Sequence, residues 1–230
     1  MKIQEVDYSE TVPIQYELKN AEFMGMDIYV DERVLIPRPE TELLIRTAAN
    51  ICKENGINAP LLLDIGTGSG IVSVGLTKLI ENADVIGVDV SLDALEVARI
   101  NVEKHVNSGS RNSVDLLVSD LFEELEKYKG KFDGIVSNPP YVSDKDYDMV
   151  DAWVKAEPEL AFKGGIEGMD VIKKIILQAK TYLKKGGFLA LEIGYDQSVK
   201  TQNFMKDNGY VNVEKFKDVN GFDRVIVGGF

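Results

Sequence analysis

Two residue types that carry much of enzyme chemistry are nearly missing from this 230-residue chain: cysteine occurs once, as Cys52, and histidine once, as His105. A single cysteine permits no intrachain disulfide and no thiolate cluster for zinc. A single histidine excludes multi-histidine metal centres, and no metal site is expected. His105 follows Glu103 and Lys104 near the predicted end of a helix, where it reads as a solvated or dipole-satisfying imidazole, not the base of a serine or cysteine triad. Basic residues are also in deficit, 26 Lys and Arg against 38 Asp and Glu, for a net charge of −12. That balance counts against nonspecific nucleic-acid binding, which needs clustered cations on phosphate. The best basic cluster, Lys127, Lys129 and Lys131 with Tyr128 and Phe132 between them, is small and reads as a solvated loop. The acid surplus weakly favours a basic protein partner. No apolar run approaches the length of a membrane span, and Met1-Lys2-Ile3-Gln4-Glu5 lacks the apolar core of a signal peptide, so a cytoplasmic protein is expected.

What is present is an ordinary globular composition, 44% hydrophobic and 28% charged, enough for one sizeable domain with a small appendage. Residues 1–34 read as an N-terminal segment with a β-hairpin: strand-like pieces lie around Phe23 and from Met26 to Val30, with Gly25 between. Residues 35–230 read as one α/β domain. Pro37 and Pro39 delay a helix that carries Glu40 and Glu42 in its first turn, with Pro39 placed at a first helical position, and that ends before Gly56. Leu61 to Ile65, Val85 to Asp89, Val114 to Val118, Phe132 to Val136 and Phe188 to Ile193 read as strands. Helices fall between them, one capped by Ser91 and one with apolar positions at Ile172, Ile175, Ile176, Ala179, Tyr182 and Leu183. A polar helix and strands near Val211 to Phe216 and Arg224 to Val227 end the chain. Alternating strand and helix predicts a doubly wound parallel sheet. The polar stretch with Asp144, Asp146, Asp148 and Asp151 reads as a mobile loop or lid, or equally as a solvated charged loop, with Trp153 as its anchor.

Two strand ends carry candidate chemistry. Asn138-Pro139-Pro140-Tyr141 sits where the fourth strand stops, the place where open α/β sheets bind ligands. Asn138 offers a carbonyl acceptor, and Pro139 keeps a C=O while the consecutive prolines hold the backbone in place. An NH2 group of a planar amide or nucleobase would donate one proton to each acceptor, with Tyr141 over its flat face. The alternative is a proline-stiffened exit from a strand. Earlier, Gly66-Thr67-Gly68-Ser69-Gly70 follows a buried strand and opens a helix, the setting for a ligand held by backbone amides. Asp89 lies 19 positions after Gly70 and suits ribose hydroxyls. The spacing is G-x-G-x-G, not the G-x-G-x-x-G of dinucleotide enzymes. Asp64, Asp89 and Asp120 repel pyrophosphate and suit a cation, so S-adenosylmethionine fits best. Asp120 is placed to accept from the adenine amine, and Leu121 with Phe122 to wall the ring or fill the core. Asp64 either contacts the cofactor or supports the loop.

With these residues in view, the chain resembles the peptide chain release factor glutamine methyltransferases, the HemK/PrmC family. The resemblance is carried by Pro13 to Tyr16, Val34 to Glu42, Asp64 to Gly70, Ser137 to Tyr141, Glu157-Pro158 and Leu191 to Gly194. It implies a seven-stranded Rossmann-like class I methyltransferase fold with an antiparallel last strand. It also implies methylation, with S-adenosylmethionine, of the glutamine amide nitrogen in a release factor's Gly-Gly-Gln motif. By position, Gly66, Thr67, Gly68, Ser69, Gly70 and Asp89 would hold the cofactor and Leu121 would flank adenine. Asn138 would touch both cofactor and amide, while Pro139, Pro140 and Tyr141 complete the glutamine pocket and Pro37 to Glu42 closes the methionine end. Family members usually begin with a helical domain of several dozen residues, and only a dozen residues precede Pro13 here; Phe222 stands where a basic residue is common. The expected chemistry is in-line displacement by the amide nitrogen on the methyl carbon, with catalysis by orientation worth on the order of 7 to 11 kcal/mol at best. The rivals are an adenine or cytosine amino-methyltransferase, a glutamine methyltransferase for another translation protein, a nicotinamide dehydrogenase and a noncatalytic cofactor sensor.

Overall fold

The computed structural model describes residues 12–106, 111–150 and 154–230; Asp151 and the proposed anchor Trp153 lie outside them. The chain begins with a short helix α1 (Ile14–Leu18) and the hairpin β1 (Ala21–Phe23) and β2 (Met26–Ile28), in which Ala21 pairs with Ile28. Then come α2 (Thr41–Glu54), β3 (Leu61–Ile65), α3 (Ile71–Leu79), β4 (Asp84–Asp89), α4 (Leu92–His105) and β5 (Ser113–Val118). The second half contains β6 (Phe132–Ser137), the one-turn α5 (Asp144–Tyr147), α6 (Asp170–Tyr182), β7 (Leu183–Glu192), α7 (Ser198–Asp207), β8 (Val211–Lys217) and β9 (Asp223–Gly229).

Seven strands form one sheet in the order β5-β4-β3-β6-β7-β9-β8. The first five in that order run parallel, and β9 is antiparallel to both β7 and β8. The order reverses between β3 and β6, so a crevice opens beyond their carboxyl ends. β3 and β6 are largely buried because helices cover both faces, whereas β5 and β8, at the edges, contain no fully buried residue. One layer packs α2, α3, α4 and the hairpin on the sheet; the other packs α6 and α7.

Gly134 inside β6 has a packing reason: a Cβ there would stand 2.4 Å from the ring of Phe188 on the neighbouring strand. Asp133 beside it is also accounted for, accepting from the Leu61 N–H at 2.8 Å and pairing with Lys184 at 2.7 Å. The hairpin is fastened to the domain by buried Asn101 of α4, whose amide accepts from Tyr29 N–H and donates to the carbonyls of Tyr29 and Ser69. Tyr16 adds a hydroxyl bond to the Val34 carbonyl at 2.6 Å.

Three local expectations need correction. Helix α2 starts at Thr41, with Glu40 at the N-cap, because the Pro39 carbonyl accepts from Glu42 N–H in a preceding turn. Strand β7 begins at Leu183, since Leu183 already pairs with Phe132 across a bulge. The acidic stretch after Tyr141 is not wholly irregular: Ser143 caps α5 by accepting from the Asp146 N–H.

Candidate functional site

At the reversal point the strand ends enclose a cavity of about 220 Å³. Gly66 and Gly68 line one side and Asn138, Pro139 and Pro140 another, with Asp89, Asp120 and Leu121 completing the wall. The glycine turn and the first three residues of the tetrad therefore face the same space, while Tyr141 is not part of its lining. Leu35, from the proline-rich segment, and Pro158 also border it.

The glycine turn is built from beneath. Asp64 is fully buried, and its Oδ2 accepts from the Thr67 hydroxyl at 2.6 Å, the Ser73 hydroxyl at 2.7 Å and the Ser73 N–H at 3.1 Å. Burial pushes its carboxyl up to about 6 against those hydrogen bonds, and its other oxygen, Oδ1, is buried with no partner among the described residues. Asp64 is thus a support of the loop and not a wall of the cavity, as are Thr67 and Ser69, both nearly inaccessible. Gly70 is required by packing: at φ 82°, a Cβ would lie 3.2 Å from Ala98 of α4. Gly66 and Gly68, at φ 70° and 54°, are the ones that leave room, since a Cβ on Gly66 meets no heavy atom within 4 Å. Asp89 ties the turn to the next strand, accepting from the N–H groups of Gly68 and Ser91, each at 2.9 Å.

Leu121 adopts the left-handed region at φ 52°, a conformation costing on the order of 1–3 kcal/mol for a non-glycine residue. The Ser119 hydroxyl holds this turn by donating to the Leu121 carbonyl and accepting from the Glu124 N–H. The bend sends Leu121 to the cavity and Phe122 the other way. Phe122 is 1% exposed and stacks on Tyr182 at 4.6 Å, so the expectation that it walls a ring gives way to the core reading.

The tetrad is fixed by residues far away in the chain. Asn138 Nδ2 donates to Thr41 Oγ1 at 3.1 Å, and Thr41 donates to Glu192 Oε2 at 2.8 Å. The Tyr141 hydroxyl donates to the other oxygen, Glu192 Oε1, at 3.2 Å. Desolvation drives the Glu192 carboxyl up to about 7 and the Tyr141 hydroxyl well above its ordinary value. Behind the tetrad, Gln197 Nε2 donates to the carbonyls of Tyr141 and Gly168. Gly168 permits that approach; a Cβ would fall 2.1 Å from the Tyr141 carbonyl oxygen. A second buried acid, Glu157, accepts from the Ile36 N–H at 2.8 Å and pairs with Arg38 at 2.5 Å, pinning the proline-rich segment near the cavity mouth.

The sequence pattern gave no individual role to Thr41, which counted only as part of the Pro37 to Glu42 segment, nor to Glu157, Glu192, Asn101 or Gln197. The first three stood inside motifs of the resemblance, so their presence was visible while their partners were not. His105 places Nε2 2.9 Å from the Asp27 carbonyl on the surface, away from the cavity, as its sequence context suggested.

The lining fits S-adenosylmethionine. Two glycines offer an open turn, the nearest atom to a Cβ on Gly68 being the Gly66 carbonyl oxygen at 3.9 Å, Asp89 carries acceptor oxygens at the strand tip, and Leu121 supplies an apolar wall; Asp120 adds negative charge for a cationic ligand.

Comparisons with known proteins agree. Residues 40–166 match the methyltransferase small domain family. The chain is 35% identical over 217 residues to the release factor glutamine methyltransferase of Clostridium acetobutylicum, across 94% of this chain and 74% of that relative. It is 40% identical over 185 residues to the ribosomal protein uL3 glutamine methyltransferase of Francisella tularensis, across 80% of this chain and 57% of the other. Its fold superimposes on the release factor-specific protein-(glutamine-N5) methyltransferase of Alicyclobacillus acidocaldarius with a TM-score of 0.53 at 26% identity, covering 84% of this chain and 93% of that one.

Proposed function

Because the chain belongs to the release factor glutamine methyltransferase family, we propose that it methylates the side-chain amide nitrogen of the glutamine in a release factor's Gly-Gly-Gln motif. The observation that carries this reading is the single cavity shared by Gly66 and Gly68 with Asn138, Pro139 and Pro140. S-adenosylmethionine supplies a methyl group on positively charged sulfur. The chain supplies position. Gly66 and Gly68, whose N–H groups already bond Val88 and Asp89, leave room for a ligand to approach the turn closely, Asp89 accepts from ribose hydroxyls, and Leu121 lies against the adenine with Asp120 at its amine.

On the acceptor side, Asn138 Oδ1 and the Pro139 carbonyl would accept hydrogen bonds from the two N–H groups of the glutamine amide, one of whose protons is released to solvent once the nitrogen has gained the methyl. Two acceptors on a stiff backbone hold the nitrogen with its lone pair directed into the cavity and its plane against Pro140 and Tyr141. The work of the site is orientation and exclusion of water, and the free enzyme needs no covalent nucleophile for it. Asp89 and Asp120 also favour a cationic ligand over a pyrophosphate, which argues against a nicotinamide cofactor.

The test is incubation with purified release factor and methyl-labelled S-adenosylmethionine, followed by mass mapping. The expected product carries one added methyl on the Gly-Gly-Gln glutamine. The similarity to a ribosomal protein uL3 glutamine methyltransferase supports a second reading in which another translation protein is the acceptor; label on uL3 with none on the release factor selects it. Label on a DNA duplex alone would overturn both.

The protein is proposed to act in the cytoplasm, where release factors work. Among the described residues no helix is long and apolar enough to cross a membrane.

A further inference from the structure

Asn138 is useful to a glutamine amide only in one of its two orientations. Its side chain is planar and nearly symmetric in shape, with a carbonyl on one branch and an NH2 on the other. Turned through half a revolution it would present donors to the substrate's own NH2 protons and repel them. Something must choose between the two.

Thr41 is 1% exposed and has one hydroxyl proton, which it gives to Glu192, itself 0% exposed. An ionised carboxylate is acceptor-only, so it claims that proton and leaves Thr41 Oγ1 with lone pairs alone toward Asn138. The branch of Asn138 that meets Thr41 must then be the NH2, at 3.1 Å, and the carbonyl is released to the cavity that Asn138 lines. A protonated Glu192 has a proton of its own to give; the Thr41 hydroxyl can then turn and donate to Asn138, and the selection is lost. The second oxygen of Glu192 takes the Tyr141 hydroxyl, so the same carboxylate sets both side chains of the tetrad.

We propose that Glu192, acting through Thr41, is the positioning residue that determines which end of the Asn138 amide faces the methyl acceptor. The proposal rests on the glutamine methylation argued above. It assigns no contact between Glu192 and substrate, and no proton transfer in the reaction. The groups that set Glu192's charge come from four directions: Thr41 on α2, Tyr141 after β6, Arg224 on β9 and Glu40 before α2. Arg224 and the two hydroxyls favour the carboxylate, while burial and Glu40 oppose it, and the balance falls at about 7. The positioned state is therefore the one present above neutral pH.

The experiment compares Glu192→Gln, Thr41→Val and Thr41→Ser with the parent on purified release factor. Glutamine keeps the shape but brings donors, and valine removes the hydroxyl at nearly constant volume. Each is expected to lower kcat about thirtyfold or more while KM for S-adenosylmethionine stays within about threefold, and Thr41→Ser is expected to regain most of the loss. In the parent, kcat should rise with pH through a midpoint near 7, a limb that Glu192→Gln abolishes. Parent-like kcat in both Glu192→Gln and Thr41→Val, or a limb unchanged in Glu192→Gln, would overturn the proposal.

If Glu192→Gln fails to fold, the valine and serine pair carries the same test. If the parent methylates no glutamine at all, the proposed function fails, and the relay is read without turnover from the carboxyl carbon-13 titration of Glu192. There Thr41→Val should move the midpoint to higher pH by about half a pH unit or more, because a hydrogen bond that favours the charged form is gone. An unmoved midpoint would show that Thr41 does not bond Glu192, and the proposal would fall.

Discussion

Two buried carboxylates stand at the strand tips on either side of β6, and they are assembled in opposite ways. Asp64, on β3, gathers its donors from residues three and nine positions along the chain, Thr67 and Ser73. Glu192, on β7, gathers its donors from 151 and 51 positions away, Thr41 and Tyr141. The first is a local turn that closes on its own strand. The second exists only after α2, β6 and β7 have packed, so its geometry depends on the whole sheet. The carboxylate under the glycine turn, on the proposed cofactor side, is thus held by short-range sequence, and the one behind the tetrad, on the proposed acceptor side, by tertiary structure.

That contrast can be broken most severely at the acceptor side. Asn138→Ala removes the amide that both halves of the proposed site share, and should reduce glutamine methylation by about a thousandfold or more. Calorimetry should find S-adenosylmethionine affinity within about tenfold of the parent; near-parental turnover would remove Asn138 from the mechanism. On the cofactor side the pattern should invert. Gly68→Ala places a Cβ on a turn at φ 54° that lines the cavity, and should weaken cofactor binding by about ten- to a hundredfold, with a smaller loss of turnover at saturating cofactor.

A third test concerns pH. Both carboxyls are raised by burial, Asp64 from 3.8 to about 6 and Glu192 from 4.5 to about 7. The unfolded chain releases these protons before the folded chain does, so the stability each contributes is fully present below its unfolded value and is lost as pH rises through its folded one. Asp89 and Glu157 are raised in the same direction, while Asp31 and Asp223 are lowered and act only in more acid solution. The urea midpoint should therefore fall between pH 5 and pH 8, with Glu192 contributing at most on the order of 3 kcal/mol. Glu192→Gln should flatten that fall, whereas Thr67→Val and Ser73→Ala, which strip donors from Asp64, should steepen it.

The smallest expected effects separate neighbours. Phe122→Leu, in the core against Tyr182, should cost about 1–2 kcal/mol in denaturant unfolding and leave cofactor affinity unchanged. Leu121→Ala should do the reverse, weakening the cofactor a fewfold at little cost in stability. Disruption of the Arg38–Glu157 pair by Glu157→Gln should be visible locally, as about tenfold faster exchange of the Ile36 amide that Glu157 accepts from.

Most of the architecture was legible because its signals are short. The apolar runs of β3 and β6, the period of α6, the serine cap on α4 and the glycine turn each occupy one stretch of chain, and each formed where its pattern placed it, save that Leu183 leaves the helical period for β7. The tetrad's place at a strand tip was legible in the same way, since proline stiffness and an adjacent amide require no partner to be recognised. Phe122 was ambiguous because one backbone bend, at Leu121, decides which of two apolar neighbours faces the cavity, and a left-handed leucine leaves no mark in composition.

By itself, then, the sequence determined the alternation of strand and helix and the two motifs at strand ends, while the reversal of strand order that brings them together was seen only in the structure. Tertiary structure alone decided what holds those motifs still: Thr41 between Asn138 and Glu192, Glu157 beneath Ile36, Gln197 behind Tyr141. The reason is physical. Propensity and periodicity act over one or two turns of chain, whereas a buried acid is stable only beside the donors that packing brings to it, and those donors lie anywhere in the sequence.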